Sequence, residues 1–404
     1  MKLPEGGWRA QADLNALLAA LDAESGAARF VGGAVRDTLL DLAVSDLDIA
    51  TRLLPDDVMT RLKARDIRVI PTGIDHGTVT AVLPHGPIEI TTLRRDVSTD
   101  GRRATIAFSD DWREDAARRD FTINALSADP SSGEIFDYFG GLDDLRNGRV
   151  RFIGDPLQRI AEDHLRILRF FRFHARFGRG APDGPAMDAC TARANDLMAL
   201  SRERIADELL KLLALPHPAP TVKLMAEAGI FRPVLPEIEE GGVERLFRLT
   251  ARETALGLPP EKLRRLAALL PPDPAAAAAV AARLRLSNKA LKRLVSAASW
   301  PQPAGDPRLL AYAIGRDEAL DRLLLRDTDE GLADAIAALG DWERPRLALS
   351  GGDLIAMGLE PGPAVARILQ AVEREWSEGG FSDDGEAVRA LARRHVDEAL
   401  RDKA

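Results

Sequence analysis

The sequence predicts an α+β fold: a small mixed or antiparallel sheet flanked by helices at the N-terminal end, followed by an all-helical remainder. Three observations carry this. Short strand-like runs, Ile67 to Ile70, Gly77 to Leu83 and Pro87 to Leu93, are confined to the part before residue 153. A compositional switch falls at Gly154-Asp155-Pro156. Beyond it, apolar residues recur at helical spacing between breaks marked by Pro and Gly. The expected division is an αβ part over 1–153, then helical segments over 154–215, 216–300 and 301–404.

Composition narrows the class. The chain of 404 residues is long enough for several domains, and its net charge of −8 gives no global basic field, so a nucleic-acid partner would need a local positive groove. Cys190 is the only cysteine, which excludes an intrachain disulfide or a cysteine-based metal site and fits a reducing compartment. The opening residues carry several acids and no long apolar run, and no stretch of about 20 apolar residues occurs anywhere. A soluble cytoplasmic protein, without membrane or protein partner, is the expectation. The six histidines form no HxxxH or HExxH pattern, and no G-x-S-x-G elbow is present, so histidine–metal and Ser-His-Asp chemistry are disfavoured.

In chain order, Trp8, Leu14, Leu17, Leu18 and Leu21 mark an amphipathic helix over 8–24. Phe30-Val31 then approaches Gly32-Gly33, a short helix carries Val35, Leu39 and Leu40, and Asp46-Leu47-Asp48-Ile49 reads as a strand. Alternation puts Asp46 and Asp48 on one face, where two carboxylates repel unless a cation lies between them; a hard divalent ion completed by phosphate oxygens suits that need. Glycines allow close backbone approach to an anion. Gly-Gly alone is usually a turn, and D-x-D alone is common at solvated strand ends. Joined to Arg36 and Asp37 in one unit, they suggest a nucleoside triphosphate and phosphoryl transfer.

Pro55 to Lys63 is a second helix, with Pro at its start and Asp56 and Asp57 in its first turn. On the strand 87–93, Glu89 is a candidate third carboxylate or simply a solvent-facing one. The polar, arginine-rich stretch from Arg94 to Asp111, including Gly101, Arg102 and Arg103, reads as a mobile loop. Glu114 to Ala125 has helical spacing around Arg118-Arg119-Asp120, charges beside a core that require partners. Ile135 to Tyr138 and Val150 to Ile153 read as strands. The first long helix, Pro156 to Phe177, is strongly basic; Asp163 and Arg166 share a face and can pair, and Phe170, Phe173 and Phe177 form a packing stripe. Ser201 is a candidate N-cap for the helix after it, where Glu203 or Arg204 can contact a neighbour. Further helices follow, one with a small basic face at Lys289, Lys292 and Arg293.

Taken together, Gly32-Gly33-Ala34-Val35-Arg36-Asp37 with Asp46-Leu47-Asp48, the run Arg118-Arg119-Asp120 to Asn124-Ala125, and Arg159-Ile160 to Glu162-Asp163, Arg166 and Arg169 resemble the class II tRNA nucleotidyltransferase and bacterial poly(A) polymerase family, within the DNA polymerase beta-like nucleotidyltransferase superfamily. The ordered motifs cover roughly residues 28–210; beyond that only a helical architecture is shared. The resemblance implies a nucleotidyltransferase head followed by helical neck, body and tail, and a template-independent polymerase adding C, C and A to the 3' end of tRNA. It implies that Asp46 and Asp48 bind two Mg2+ ions, that Gly32, Gly33 and Arg36 hold the triphosphate of CTP or ATP, and that Asp37 anchors the helix or Arg36. Asp120 then recognises the ribose 2'-hydroxyl, Arg118 and Arg119 orient the nucleotide, and Asn124 and Arg169 belong to the same nucleotide site. Asp163 and Arg166 read the Watson–Crick edge of the base. The segment 94–111 matches the family's flexible loop, Ser201 to Glu208 a helix supporting the reader, and Glu89 only a supporting position.

Two rival readings share this core: a poly(A) polymerase, and a partial enzyme adding only CC or only A. A non-catalytic RNA-binding protein is the third, disfavoured because a scaffold gains nothing from two adjacent unneutralised carboxylates. The tRNA, engaged at its 3' end and its acceptor and elbow region, would be held through phosphates by helical basic faces such as Lys289, Lys292 and Arg293.

Overall fold

The computed structural model describes residues 1–5, 7–100, 103–299 and 305–401, with the backbone alone at 96–100 and 103–106. The first elements are helix α1 (Ala12–Ala20), strand β1 (Ala28–Val31), helix α2 (Gly33–Leu39), strand β2 (Asp48–Thr51) and helix α3 (Pro55–Lys63). They are followed by β3 (Arg68–Gly73), β4 (Thr78–Leu83) and β5 (Gly86–Thr92). A hairpin of β6 (Arg94–Asp100) and β7 (Arg103–Phe108) precedes α4 (Trp112–Ala117), β8 (Ser127–Ala128), β9 (Ile135–Phe136) and α5 (Gly141–Arg146). Then the chain turns helical: α6 (Pro156–Glu162), α7 (Arg166–Phe177), α8 (Gly184–Ala192), α9 (Arg202–Leu213), α10 (Ala219–Glu227), and ten further helices from Glu240 to Arg401 among the described residues.

The main sheet has seven strands in the order β3-β4-β5-β2-β1-β8-β9. Only β2 and β5 run parallel; the remaining pairs are antiparallel, so the sheet is mixed. Phe30, Ile49 and Ile90, at matching positions on the three central strands, are buried and fix the register, because a one-residue slip would carry all three to the other face. That register sets Val31 opposite Asp48, and Asp48 opposite Glu89. The glycine turn after Val31 therefore lies beside the first residue of β2.

Two compact units are formed. One comprises Met1–Glu244, Pro260–Lys262 and Ala282–Leu286; the other comprises Arg245–Pro259, Leu263–Ala281 and Ser287–Ala404. The first is cored by stacked aromatics: Phe121 lies 4.9 Å from Phe152 and 5.1 Å from Phe173, ring centre to ring centre, and Phe152 lies 5.8 Å from Phe170. Full burial of such a ring contributes roughly 1.5–3 kcal/mol. In the second unit, Arg264 and Arg265 pair with buried Glu253 at 3.1 and 2.7 Å.

Several local expectations are corrected. The helix expected over 156–177 is two helices, because Asp163 is extended (φ −153°, ψ 107°) and its Oδ1 accepts from the Leu165 amide; a short acidic side chain competes with the helix for backbone donors. The stretch Arg94 to Asp111, read as a loop, forms the β6–β7 hairpin, with Gly101 and Arg102 outside the described residues. Strand β2 starts at Asp48, leaving Asp46 before it. Val150 to Ile153 forms no strand; Phe152 contributes an isolated bridge to Phe121. Helix α4 ends before Arg118, and the helix expected over 8–24 is α1 with short 3-10 turns on either side. Ser201 occupies the N-cap position of α9 without a side-chain capping bond. Lys289 and Lys292 are exposed, whereas Arg293 donates from Nε to the buried Asp321 at 2.7 Å and does not join a free basic face.

Candidate active site

The end of β1, the glycine turn, the start of β2, the turn at 118–124 and the helices α7 and α9 surround a cavity of about 590 Å³. Eleven of the twelve residues singled out from the sequence line it: Gly32, Gly33, Arg36, Asp46, Asp48, Arg119, Asp120, Asn124, Asp163, Arg166 and Arg169. Arg118 does not. Its Nε donates to Asp115 Oδ1 at 2.8 Å, which turns the side chain away, and the neighbouring Arg119 occupies the cavity wall instead.

Gly32 has φ +68°, a conformation that strains any other residue, and a Cβ there would come within 2.8 Å of Arg119 Nη1. The glycine thus admits the Arg119 guanidinium. Arg36 is buried; its Nε donates to Asp37 Oδ1 at 2.7 Å, its Nη1 donates to Asn124 Oδ1, and it lies over the Phe177 ring at 4.2 Å. Asp37 also meets Arg176 Nη2 at 3.3 Å. Burial pushes the pKa values of Arg36 and Arg119 down, against the pull of nearby aspartates.

Asp46 is exposed and Asp48 half-buried. Among the described residues, no hydrogen bond or ion pair engages the Asp48 carboxylate. Burial raises its pKa above the usual value; Arg119 opposes the rise, and the like charges of Glu89 and Asp46 add to it. Two carboxylates at an open, arginine-lined cavity, one lacking a protein partner, are the donor set a hard divalent ion takes when phosphate and water complete its shell. Glu89 is exposed and lies opposite Asp48 across the parallel strand pair, and no group of three or more His, Cys, Asp or Glu side chains converges among the described residues.

Asp120 is held from both sides. Oδ1 accepts from the Phe121 amide at 2.8 Å and from Asn124 Nδ2 at 2.9 Å; Oδ2 accepts from Arg169 Nε at 2.8 Å. Burial works against its charge, but Arg169 and these hydrogen bonds outweigh it and hold the carboxyl below the ordinary range.

Asp163 and Arg166 line the cavity without pairing through their side chains. Asp163 Oδ2 accepts from Arg204 Nη2 at 2.7 Å; Arg166 Nη1 donates to the Arg159 carbonyl at 2.8 Å and to Glu162. Each therefore keeps a fixed orientation with further donor or acceptor capacity. Arg159, buried, donates from Nη2 to the Arg118 carbonyl at 2.6 Å and to the Arg119 carbonyl, tying the Asp120 turn to the helix break at Asp163. Glu208 on α9 accepts from Arg172 Nε at 2.6 Å.

Sequence reasoning missed Arg172, Arg176 and Arg204 as cavity residues. The first two repeat the spacing of Arg166 and Arg169 along one helix face, a signal that was available; Arg204 was expected to contact a neighbour and does so at Asp163, but its place in the cavity was not read. Ser45 and Phe173 also line the wall.

Comparison with known proteins bears on this site. Residues 28–151 match the "Poly A polymerase head domain", and residues 185–241 the "Probable RNA and SrmB-binding site of polymerase A". The mitochondrial CCA tRNA nucleotidyltransferase 1 of Mus musculus is 32% identical over 366 residues, covering 87% of this chain and 83% of its own. The CCA-adding enzyme of Lacticaseibacillus paracasei is 34% identical over 394 residues, 91% of this chain and 92% of its own. Among solved structures, the Bacillus stearothermophilus CCA-adding enzyme in complex with CTP aligns with a TM-score of 0.76 at 28% identity, covering 97% of this chain and 99% of that one. The chain belongs to the class II family of CCA-adding tRNA nucleotidyltransferases and poly(A) polymerases, and is a nucleotidyltransferase of that family.

Proposed function

We propose that this enzyme adds CMP, CMP and AMP in turn to the 3' end of tRNA, using CTP and ATP and releasing pyrophosphate at each step. The observation that carries the reading is the single cavity into which the Asp46–Asp48 pair, the arginine cluster, Asp120 and the Asp163–Arg166 pair all open. The new bond joins the 3'-oxygen of the RNA to the α-phosphorus of the nucleotide, and the bond to pyrophosphate breaks.

Asp46 and Asp48 would hold two Mg2+ ions. Bound there, they supply Lewis-acid neutralisation of phosphate charge and a lowered pKa for the attacking hydroxyl. The chain's own residues do the rest. Gly32 and Gly33 give the triphosphate room against the backbone, and Arg36 and Arg119 offset its charge. Asp120, kept ionised, accepts from the ribose 2'-hydroxyl. Asp163 accepts from an exocyclic amine while Arg166 donates to a ring nitrogen or carbonyl. Cytosine and adenine each present an amine beside an acceptor on that edge, whereas uracil and guanine present a carbonyl in the amine's place. Base choice thus rests in the protein.

The work would divide among a head over 1–153, a neck over 154–215, a body over 216–300 and a tail over 301–404, the helical segments engaging the acceptor and elbow of tRNA. The described residues contain no helix long and apolar enough to cross a membrane, and a single buried cysteine accords with a reducing compartment such as the cytoplasm. The test is incubation with Mg2+, labelled CTP and ATP, and tRNA lacking its last three nucleotides or only the last one. Ordered addition that stops after the terminal A is expected. An A tail of indefinite length would instead assign poly(A) synthesis, and a halt after CC, or addition of A alone, would assign a partial enzyme.

A further inference from the structure

The Asp120 carboxylate is saturated. A carboxylate offers about four lone-pair directions. Oδ1 has the Phe121 amide and Asn124 Nδ2, at 2.8 and 2.9 Å; Oδ2 has Arg169 Nε at 2.8 Å and Nη2 at 2.6 Å. No direction remains for a sugar hydroxyl to donate into. Two of the carboxylate's three partners cannot yield: the Phe121 amide is backbone, and Asn124 is fixed from behind by Arg36. Arg169 differs. Its side chain retains 31% of its surface, it faces the cavity, and its Nη1 already lies 3.8 Å from a second carboxylate, Glu208 Oε1. Glu208 is buried and held by Arg172, so it is a fixed alternative acceptor.

We propose that Arg169 is a sugar gate: it occupies Asp120 when no ribose is bound and swings toward Glu208 as the 2'-hydroxyl takes its place on Oδ2. This rests on the assignment of Asp120 to ribose recognition. It adds that discrimination against deoxynucleotides is set by the exchange of a guanidinium, not by Asp120 alone. A ribonucleotide gains the hydroxyl bond and must displace Arg169. A deoxynucleotide leaves the Arg169–Asp120 pair in place and suffers no orphaned carboxylate. The gate therefore moderates sugar selectivity.

The test compares kcat/KM for CTP and dCTP on the same tRNA primer. In Arg169→Met, the stem remains but the substitute donor is gone, so a bound dCTP leaves Oδ2 unpaired; the CTP/dCTP ratio is expected to rise about tenfold. In Glu208→Gln, the acceptor that receives Arg169 loses its charge, and the ratio is expected to fall about threefold. A ratio unmoved in both variants, with CTP and dCTP falling together, would reduce Arg169 to a structural role and overturn the gate. A ratio that falls in Arg169→Met would overturn it too, by making Arg169 itself the hydroxyl's partner. Asp120→Ala separates the two levels. Lost sugar preference there with an unmoved Arg169→Met ratio removes the gate and keeps the ribose assignment, whereas a preference that survives in Asp120→Ala removes the assignment itself.

Discussion

Replacing Arg159 with methionine should both destabilise the catalytic unit and loosen nucleotide choice. Arg159 Nη2 donates to the Arg118 carbonyl at 2.6 Å and to the Arg119 carbonyl, and Nη1 donates to Glu162. Hydrogen bonds from a charged donor contribute about 1.5–3 kcal/mol each, and an orphaned buried carbonyl costs about 1–3 kcal/mol. Three terms reduce that sum. Arg159 Nε is buried with no partner, and burial together with the neighbouring Arg166 already works against its charge, so removing the guanidinium recovers desolvation. Glu162 keeps Arg166, and the Arg118 carbonyl keeps Arg166 Nη2 at 3.4 Å. The Arg119 carbonyl is left as the principal loss, and the net cost is about 2–4 kcal/mol.

For a unit of this size that lowers the first thermal transition by roughly 4–8 °C. The functional effect follows from position. The two carbonyls immediately precede Asp120, and Glu162 immediately precedes Asp163, so Arg159 sets the distance between the proposed sugar contact and the proposed base contacts. Without it, the ratio of CTP to UTP incorporation on a primer lacking its last three nucleotides should fall about tenfold, the equivalent of about 1.4 kcal/mol. Urea or thermal unfolding measures the first effect, and single-turnover incorporation of each nucleotide the second. A variant that unfolds with the wild type and keeps the CTP/UTP ratio would refute the assignment of Arg159 as a strut.

Two further outcomes are expected. Asp115 is buried, which alone would raise its pKa, but Arg118 and Arg119 hold it below the ordinary carboxylate value. A folded-state pKa below the unfolded one of about 3.9 contributes stability above that pH and loses it as pH falls toward the folded value. Asp115→Asn should therefore cost about 2 kcal/mol at pH 7, with the gap to wild type closing below about pH 4; a gap that stays constant from pH 7 to pH 3 in urea titrations would refute it. Gly32→Ala places a methyl 2.8 Å from Arg119 Nη1 at φ +68°, whereas Gly33→Ala meets only Arg36 Nη2 at 3.6 Å. At about 1–2 kcal/mol of backbone strain plus a displaced guanidinium, the first should lose at least about tenfold in kcat/KM and the second much less. Equal activity of the two would count against the close approach of Arg119.

How much of this was legible in the sequence depended on whether the cause was local. Helix α3 runs from Pro55 to Lys63 as read, because Pro at its first position and acids in its first turn are local causes acting on local backbone. The break at Asp163 was missed although its cause is also local: an aspartate inside a helical pattern can serve either the helix or its own turn, and periodicity alone does not say which. The β6–β7 hairpin was missed for a similar reason: its Asp100-Gly101 turn signal lies between two β-branched runs in a polar, arginine-rich stretch that has no apolar periodicity. By contrast, nothing in Arg118-Arg119 says which of the two faces the cavity. That is decided by Asp115, one turn earlier, which accepts from Arg118 at 2.8 Å and meets Arg119 only at 3.6 Å. Arg204 likewise reaches Asp163 through tertiary packing alone.

The cavity would reconcile an acidic chain with the anionic substrate proposed for it. Among the described residues, its wall carries seven arginines, Arg36, Arg119, Arg166, Arg169, Arg172, Arg176 and Arg204, against five aspartates, Asp37, Asp46, Asp48, Asp120 and Asp163. Three of those aspartates are engaged by the arginines: Asp37 by Arg36 and Arg176, Asp120 by Arg169, Asp163 by Arg204. The remaining pair, Asp46 and Asp48, has no arginine within ion-pair distance among the described residues. Asp37 and Asp163 orient Arg36, Arg176 and Arg204 before any anion arrives, so a triphosphate bound as proposed would meet them already in place, whereas Arg169 on Asp120 is the one the proposed gate moves. The unheld pair keeps its negative charge available for a cation. One wall would thus separate the two electrostatic tasks of the proposed nucleotidyl transfer by a simple rule of partnership: the carboxylates with arginine partners position groups, and the pair that would bind metal has none.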